Sequence, residues 1–170
     1  MATRSPKDNT ANVIPGGAGY KIGIVVSDWH RAITDKLLSG CRESLIVHHV
    51  SEEDIQIIRV PGSFELPMGA KLLLGRERLD AIICLGCVIK GETKHDEYIS
   101  QSVANGIMNL SLMSNTPVIF GVLTPNSIEQ AEDRAGGTHG NKGIEAAETA
   151  LRMVTLRKEV GRNPHKIGFA

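Results

Sequence analysis

The stretch Ala81 to Ile89, AIICLGCVI, is apolar or small without interruption, and Lys90-Gly91-Glu92-Thr93-Lys94-His95 then supplies charge, hydroxyl and imidazole at once. A strand wet on one face alternates apolar with polar residues. An unbroken run of this kind is buried on both faces, the condition of a strand inside a parallel sheet covered by helices above and below. Parallel neighbours cannot be joined by a tight hairpin, so the chain must supply crossover helices between its strands. In such sheets ligands sit beyond the carboxyl ends of the strands, which makes the polar turn Lys90 to His95 the first place to look for chemistry.

The rest of the chain has the alternation this requires. Lys21 to Ser27 (KIGIVVS) reads as a first strand, with Asp28-Trp29-His30 as its turn. Ile33, Leu37, Leu38, Cys41 and Leu45 recur at helical spacing and predict a helix over about Ala32 to Val47. Ile55 to Val60 is a second strand. After Pro61-Gly62, Ser63 is placed to cap a second helix, with Glu65 in its first turn and Pro67 early enough to be tolerated. Ile99, Val103, Ile107 and Leu110 mark a third helix that stops near Asn115-Thr116-Pro117. Val118 to Leu123 is a fourth strand. Ser127 and Gln130 form a capping-box pattern for a helix through about Arg134, the glycine-rich stretch Ala135 to Gly143 breaks it, and Ile144, Ala147, Leu151 and Val154 mark a last helix. Repeated β-α units of about 25 to 40 residues call for an α/β fold. The expectation is a flavodoxin-like three-layer α/β/α sandwich with a central four-stranded parallel sheet, to which Asn12 to Ile14 can add an N-terminal edge strand. A polar N-terminal arm (1–19), one domain (20–160) and a C-terminal tail (161–170) complete the expected organisation.

Basic and acidic residues balance at 19 each, so there is no electrostatic footprint for nucleic acid or an anionic membrane surface. No apolar run approaches the roughly 20 residues that span a bilayer, and MATRSPKDNTANVIPGG lacks the apolar core of a signal peptide. Together with an odd number of cysteines, three, this points to the cytoplasm.

With parallel strands, the turns at Asp28 to His30, Gly62 to Glu65, Gly91 to His95 and Thr124 to Asn126 gather along one sheet edge. Trp29 and Phe64 fall there in a chain with one tryptophan, two tyrosines and three phenylalanines. They suit a flat heteroaromatic ligand stacked on Trp29 and bonded by Ser63 and backbone groups; as lids over the ends of the core they serve equally well. His95, with an ordinary pKa of roughly 6.5, suits proton transfer near neutrality, or simply a solvated turn. Lys90, Thr93 and Lys94 beside a helix start favour an anion such as phosphate. Arg134 is either its bidentate partner or a surface charge. Three motifs are set aside. Cys84-Leu85-Gly86-Cys87 is not a redox pair, because residues three apart in a strand face opposite ways. Gly137 to Gly143 lacks the spacing of a phosphate loop. His48, His49 and His139 have no partners at metal-ligand spacing, so no metal site is expected.

SDWHRAIT (27–34), VPGSFELP (60–67), LGCVIKGETKHDEY (85–98), PVIFGVLT (117–124) and EQAEDRAGGTHGNKG (129–143), taken in this order, resemble the lumazine synthases of riboflavin biosynthesis, collinearly from about Tyr20 to Thr155. The resemblance implies a transferase condensing 5-amino-6-(D-ribitylamino)uracil with 3,4-dihydroxy-2-butanone 4-phosphate to 6,7-dimethyl-8-ribityllumazine, phosphate and water, the penultimate step of the pathway, with no cofactor or metal. It implies that Trp29 stacks on the pyrimidine, that Ser63 and Glu65, with Phe64 between them, hold the ribityl chain, and that Cys87, Val88 and Ile89 border the ring. Glu92 and Thr93 would hold the phosphate, with Arg134 as its charged clamp and Asp133 assisting. His95 matches the proton-transfer residue, and Phe120 an aromatic that closes the pocket from a neighbouring subunit. His30 departs from the Asn frequent in relatives, and Asp96-Glu97 makes an acidic surround. A homopentamer with sites between subunits is implied, and the short linker Gly136 to Gly143 fits relatives that assemble twelve pentamers into an icosahedral 60-subunit capsid. The competing readings are a non-catalytic flavin or lumazine binder and a thiol-redox protein.

Overall fold

The computed structural model describes residues 13–162. Strands β1 (Ile22–Ser27), β2 (Ile55–Val60), β3 (Ala81–Cys87) and β4 (Val118–Leu123) form one sheet in the order β2-β1-β3-β4, with every pairing parallel. Helices α1 (Arg31–Val47), α2 (Leu66–Arg76), α3 (His95–Ser114), α4 (Ile128–Asp133) and α5 (Lys142–Arg162) connect and cover it. Residues 1–12 and 163–170, most of the expected arm and tail, lie outside the described residues; Val13 and Ile14 form no strand, while Gly161 and Arg162 extend the last helix rather than beginning a tail.

The period of two along each strand divides the core between the two faces. Ile22, Ile24 and Val26 of β1 and Ala81, Ile83, Leu85 and Cys87 of β3 point to the face covered by α1 and α5, where Ile33, Leu37, Cys41, Leu45, Ala147, Leu151 and Val154 meet them. Val25, Ile82 and Cys84 point to the other face, against Leu66, Ala70 and Leu73 of α2 and Val103 and Ile107 of α3. Every residue of β1 and β3 is buried, as the apolar runs require, and each fully buried Ile or Leu contributes about 2 kcal/mol. The result is the expected three-layer α/β/α sandwich. Cys84 and Cys87 fall in different core layers, and burial pushes their thiols up to about 12 and about 11, so they form neither a redox pair nor a nucleophile.

Several boundaries differ from the sequence reading. β3 stops at Cys87, where Val88 and Ile89 leave the sheet half-buried, although the Val88 and Lys90 amides still donate to the Leu123 and Pro125 carbonyls at 2.8 and 3.0 Å. Ser63 does not cap α2. A 3-10 turn over Ser63–Glu65 precedes the helix and moves the cap position to Glu65, while the buried Ser63 hydroxyl lies 3.5 Å from the Cys87 carbonyl. Ser127 does cap α4, accepting from the Gln130 amide, but Gln130 Oε1 reaches back to the Asn126 amide and not to that of Ser127. The stretch expected only as a break is a small hairpin, β5 (Ala135–Gly137) with β6 (Gly140–Asn141), and Gly136 takes a φ of 114° that a side chain would obstruct. Ile144, expected on the buried stripe of α5, is 39% exposed.

Candidate active site

β1 is flanked by β2 on one side and β3 on the other, so the chain reverses its direction of winding at the boundary between β1 and β3. The turns leaving these two strands diverge, one to each face, and open a crevice at their carboxyl ends. A cleft of about 440 Å³ lies there, walled by Trp29 and His30 after β1, by Gly62 to Glu65 after β2, and by Cys87, Val88, Ile89, Gly91, Thr93, His95, Asp96 and Ile99 after β3. Three turns far apart in sequence thus meet at one opening, because a parallel register places the ends of the strands side by side.

Trp29 is 67% exposed and Phe64 56%, so neither acts as a lid over the core. Among the described residues the Trp29 ring makes one ring–ring contact, edge-on to His30 at 6.2 Å and 84°. Its face is open to a planar ligand, and burying so large an apolar face on a ligand is favourable. His30 sits in the left-handed region at φ 57° and ψ 47°, an uncommon state for a residue with a Cβ, and thereby turns the chain from β1 into α1. Across the cleft α3 begins at His95. No side chain caps its first turn, and the Gly91 amide makes only a long 3.4 Å contact to Asp96 Oδ1. A long helix with its first N–H groups uncapped next to the Thr93 hydroxyl suits an anion. Glu92, Lys90 and Lys94 are exposed and do not line this cleft.

The remaining expected residues are elsewhere on the same chain. Phe120, half-buried in β4 opposite Cys84, lines a groove of about 550 Å³ between α3 and α5 with Ile107, Met108, Ala146 and Met153. Arg134, at the C-terminal end of α4, lines a recess of about 280 Å³ with Thr124, Pro125, Gln130 and Lys142. Its guanidinium donates to the His139 carbonyl of the hairpin and, at 2.7 Å, to Glu145 Oε1. Asp133, expected beside Arg134, instead accepts from the Thr138 hydroxyl at 2.8 Å; the carboxylate that holds Arg134 is Glu145. Lys142 Nζ reaches the second oxygen of Glu145 at 3.1 Å. Burial pushes the Glu145 carboxyl up, but the hydrogen bonds from Lys142 and Arg134 outweigh it and hold the group below its ordinary range.

Lys142 and Glu145 are the pair that sequence reasoning missed. Their spacing of three at a helix start was visible, but nothing in the sequence indicated that the hairpin folds Arg134 back onto them. Among the described residues no group of three or more His, Cys, Asp or Glu side chains is placed to hold a metal ion, and no helix is long and apolar enough to cross a membrane.

The family model described as 6,7-dimethyl-8-ribityllumazine synthase matches residues 19–158. The chain is 51% identical over 145 residues to a 6,7-dimethyl-8-ribityllumazine synthase of Parabacteroides distasonis, covering 85% of this chain and 91% of the relative. It is 47% identical over 148 residues to one of Flavobacterium johnsoniae, 87% of this chain and 78% of the relative, and 50% identical over 141 residues to one of Cytophaga hutchinsonii, 83% and 89%.

Proposed function

The chain belongs to the 6,7-dimethyl-8-ribityllumazine synthase family, and from that premise we propose that its active site is the cleft at the ends of β1, β2 and β3, completed by Phe120 and Arg134 of a neighbouring copy. The enzyme condenses 5-amino-6-(D-ribitylamino)uracil with 3,4-dihydroxy-2-butanone 4-phosphate, giving 6,7-dimethyl-8-ribityllumazine, phosphate and water. The observation that carries the site assignment is the division of its parts: Trp29, Ser63, Glu65, Val88, Ile89, Thr93 and His95 share one cleft, while Phe120 and Arg134 line two separate hollows.

In this assignment the pyrimidine stacks on Trp29 against Phe64, bordered by Cys87, Val88 and Ile89, with its ribityl chain on Ser63 and Glu65. The phosphate of the second substrate rests at Thr93, just before the start of α3, with the exposed Glu92 next to it in the same turn. The 5-amino group attacks the ketone to form a Schiff base, phosphate leaves, and ring closure with loss of water completes the product. Each step moves a proton at a carbonyl-derived centre, which one imidazole, His95, serves when both substrates are held in register. Arg134 meets the departing phosphate as a planar, doubly donating cation, with Asp133 ordering the hairpin behind it.

Association into a pentamer has physical support in the apolar surface of the single chain: Met68 and Leu72 of α2 and Met108, Leu112 and Met113 of α3 are all more than half exposed. The short hairpin between Gly136 and Gly143 leaves no bulky insertion to obstruct twelve pentamers closing into a 60-subunit shell. A single catalytic domain from about residue 20 to 160 and a cytoplasmic location complete the reading.

The direct test mixes the purified protein with both substrates and follows lumazine fluorescence and phosphate release together. Both signals are expected. Binding of the pyrimidine with neither signal would leave a non-catalytic binder.

A further inference from the structure

We infer that Arg59 is a positioning residue for this reaction, holding the β1-to-α1 turn, and with it the stacking face of Trp29, through ion pairs with Asp28 and Asp35; the inference rests on the assignment of Trp29 as the stacking platform.

Trp29 presents an unusual problem of orientation. Its residue is 67% exposed and its one ring–ring contact among the described residues is with the neighbouring His30, so the backbone of the turn carries much of its orientation. That backbone is strained in the left-handed sense at His30, and such a conformation persists only where its surroundings over-determine it. Three restraints are present. The Trp29 amide donates to the buried Ser27 hydroxyl at 3.2 Å, the Asp28 amide donates to the Val60 carbonyl at 2.8 Å, and the Arg59 guanidinium takes the Asp28 side chain at 2.7 Å.

Arg59 lies opposite Val26 in the parallel register, next to the carboxyl end of the edge strand β2. One arm of its guanidinium bonds Asp28, immediately before Trp29, and the other bonds Asp35, in the first turns of α1. A single rigid fork therefore spans both ends of the turn, which a point charge on a flexible stem does not reproduce. Hydrogen bonding to Asp28 first, and to Asp35 second, raises the pKa of Arg59 above its ordinary value. Arg31 reaches the same two carboxylates only at 4.0 and 3.5 Å from a much more exposed position, so it is the weaker partner.

Trp29 is the one tryptophan of the chain, so its emission reports the turn directly. The experiment compares wild type, Arg59→Ala, Arg59→Lys and the control Arg42→Ala, which removes an ion pair to Glu52 remote from the cleft. For each, Trp29 anisotropy without substrate, its quenching by the pyrimidine substrate, the two KM values, kcat and Tm are measured. Arg59→Ala is expected to lower the anisotropy and raise the pyrimidine KM roughly tenfold while leaving the KM for the butanone phosphate within about twofold. Arg59→Lys should fall between, and Arg42→Ala should match wild type. Should Arg59→Ala not fold, Asp28→Ala cuts the same link from the other side and is expected to give the same split. Wild-type anisotropy and pyrimidine KM in Arg59→Ala would overturn the inference, as would equal rises in both KM values with a lowered Tm. If the pyrimidine fails to quench Trp29 in wild type, the stacking assignment itself falls and takes the positioning role with it; normal quenching in wild type with no change in Arg59→Ala removes only the role of Arg59.

Discussion

Arg134 and His95 would share one substrate, but they do different kinds of work, and their loss should be felt unequally. A guanidinium facing a leaving phosphate neutralises charge that grows as the bond breaks, and neither water nor a neighbouring neutral group replaces it. A proton transferred at a carbonyl centre has water as a substitute carrier, provided the reactants stay aligned. Arg134→Ala is accordingly expected to slow phosphate release by roughly a hundredfold or more, and His95→Ala by clearly less, in steady-state assays under identical substrate concentrations. Comparable turnover in Arg134→Ala and wild type would remove Arg134 from the phosphate site.

At the scale of elements, α5 depends on how closely its start approaches α1. A Cβ added at Gly143 would stand 1.9 Å from the Leu37 carbonyl oxygen, a distance at which backbone must move. The same junction is tied by Asn141, whose side chain donates to the Lys36 carbonyl at 3.0 Å and accepts from the Gly143 amide at 2.8 Å. Gly143→Ala should therefore destabilise the fold by about 2 kcal/mol or more, read as a lowered denaturation midpoint with an unchanged slope. How far such features show in sequence depends on whether they arise locally. Strands β1, β3 and β4 were legible because each is written as an apolar or small run, the partly buried edge strand β2 because its β-branched residues outnumber Gln56 and Arg59, and α1 and α3 because their stripes recur at helical spacing. The hairpin at Ala135–Asn141 was not, because glycines there signal a break without saying what the break becomes. Nor was the Arg134–Glu145 pair, whose members lie in different elements and meet only through that hairpin. The cleft was legible up to the point where one chain supplies it: Trp29, Ser63, Thr93 and His95 follow from parallel strand ends, whereas the distance of Phe120 and Arg134 from it is a property of the folded chain.

For the whole molecule, the proposed division of each site between two copies makes a prediction that no single-chain site shares. Trp29→Ala damages the cleft, and Arg134→Ala the clamp, but co-assembly of the two variants by joint refolding pairs an intact cleft with an intact clamp at some interfaces. With random mixing at equal amounts, about a quarter of the sites should be whole, so activity near a quarter of wild type is expected from two nearly inactive parents. No recovery in mixed assemblies of confirmed composition would place all the parts on one chain. The arrangement around Arg134 also bears on how the catalytic cycle ends. Glu145 already bonds this cation, so on the proposed assignment the clamp would engage phosphate against standing competition. A bare guanidinium would hold the product ion longer; one half-satisfied from within would let it go, trading some affinity at entry for a site that clears between turnovers.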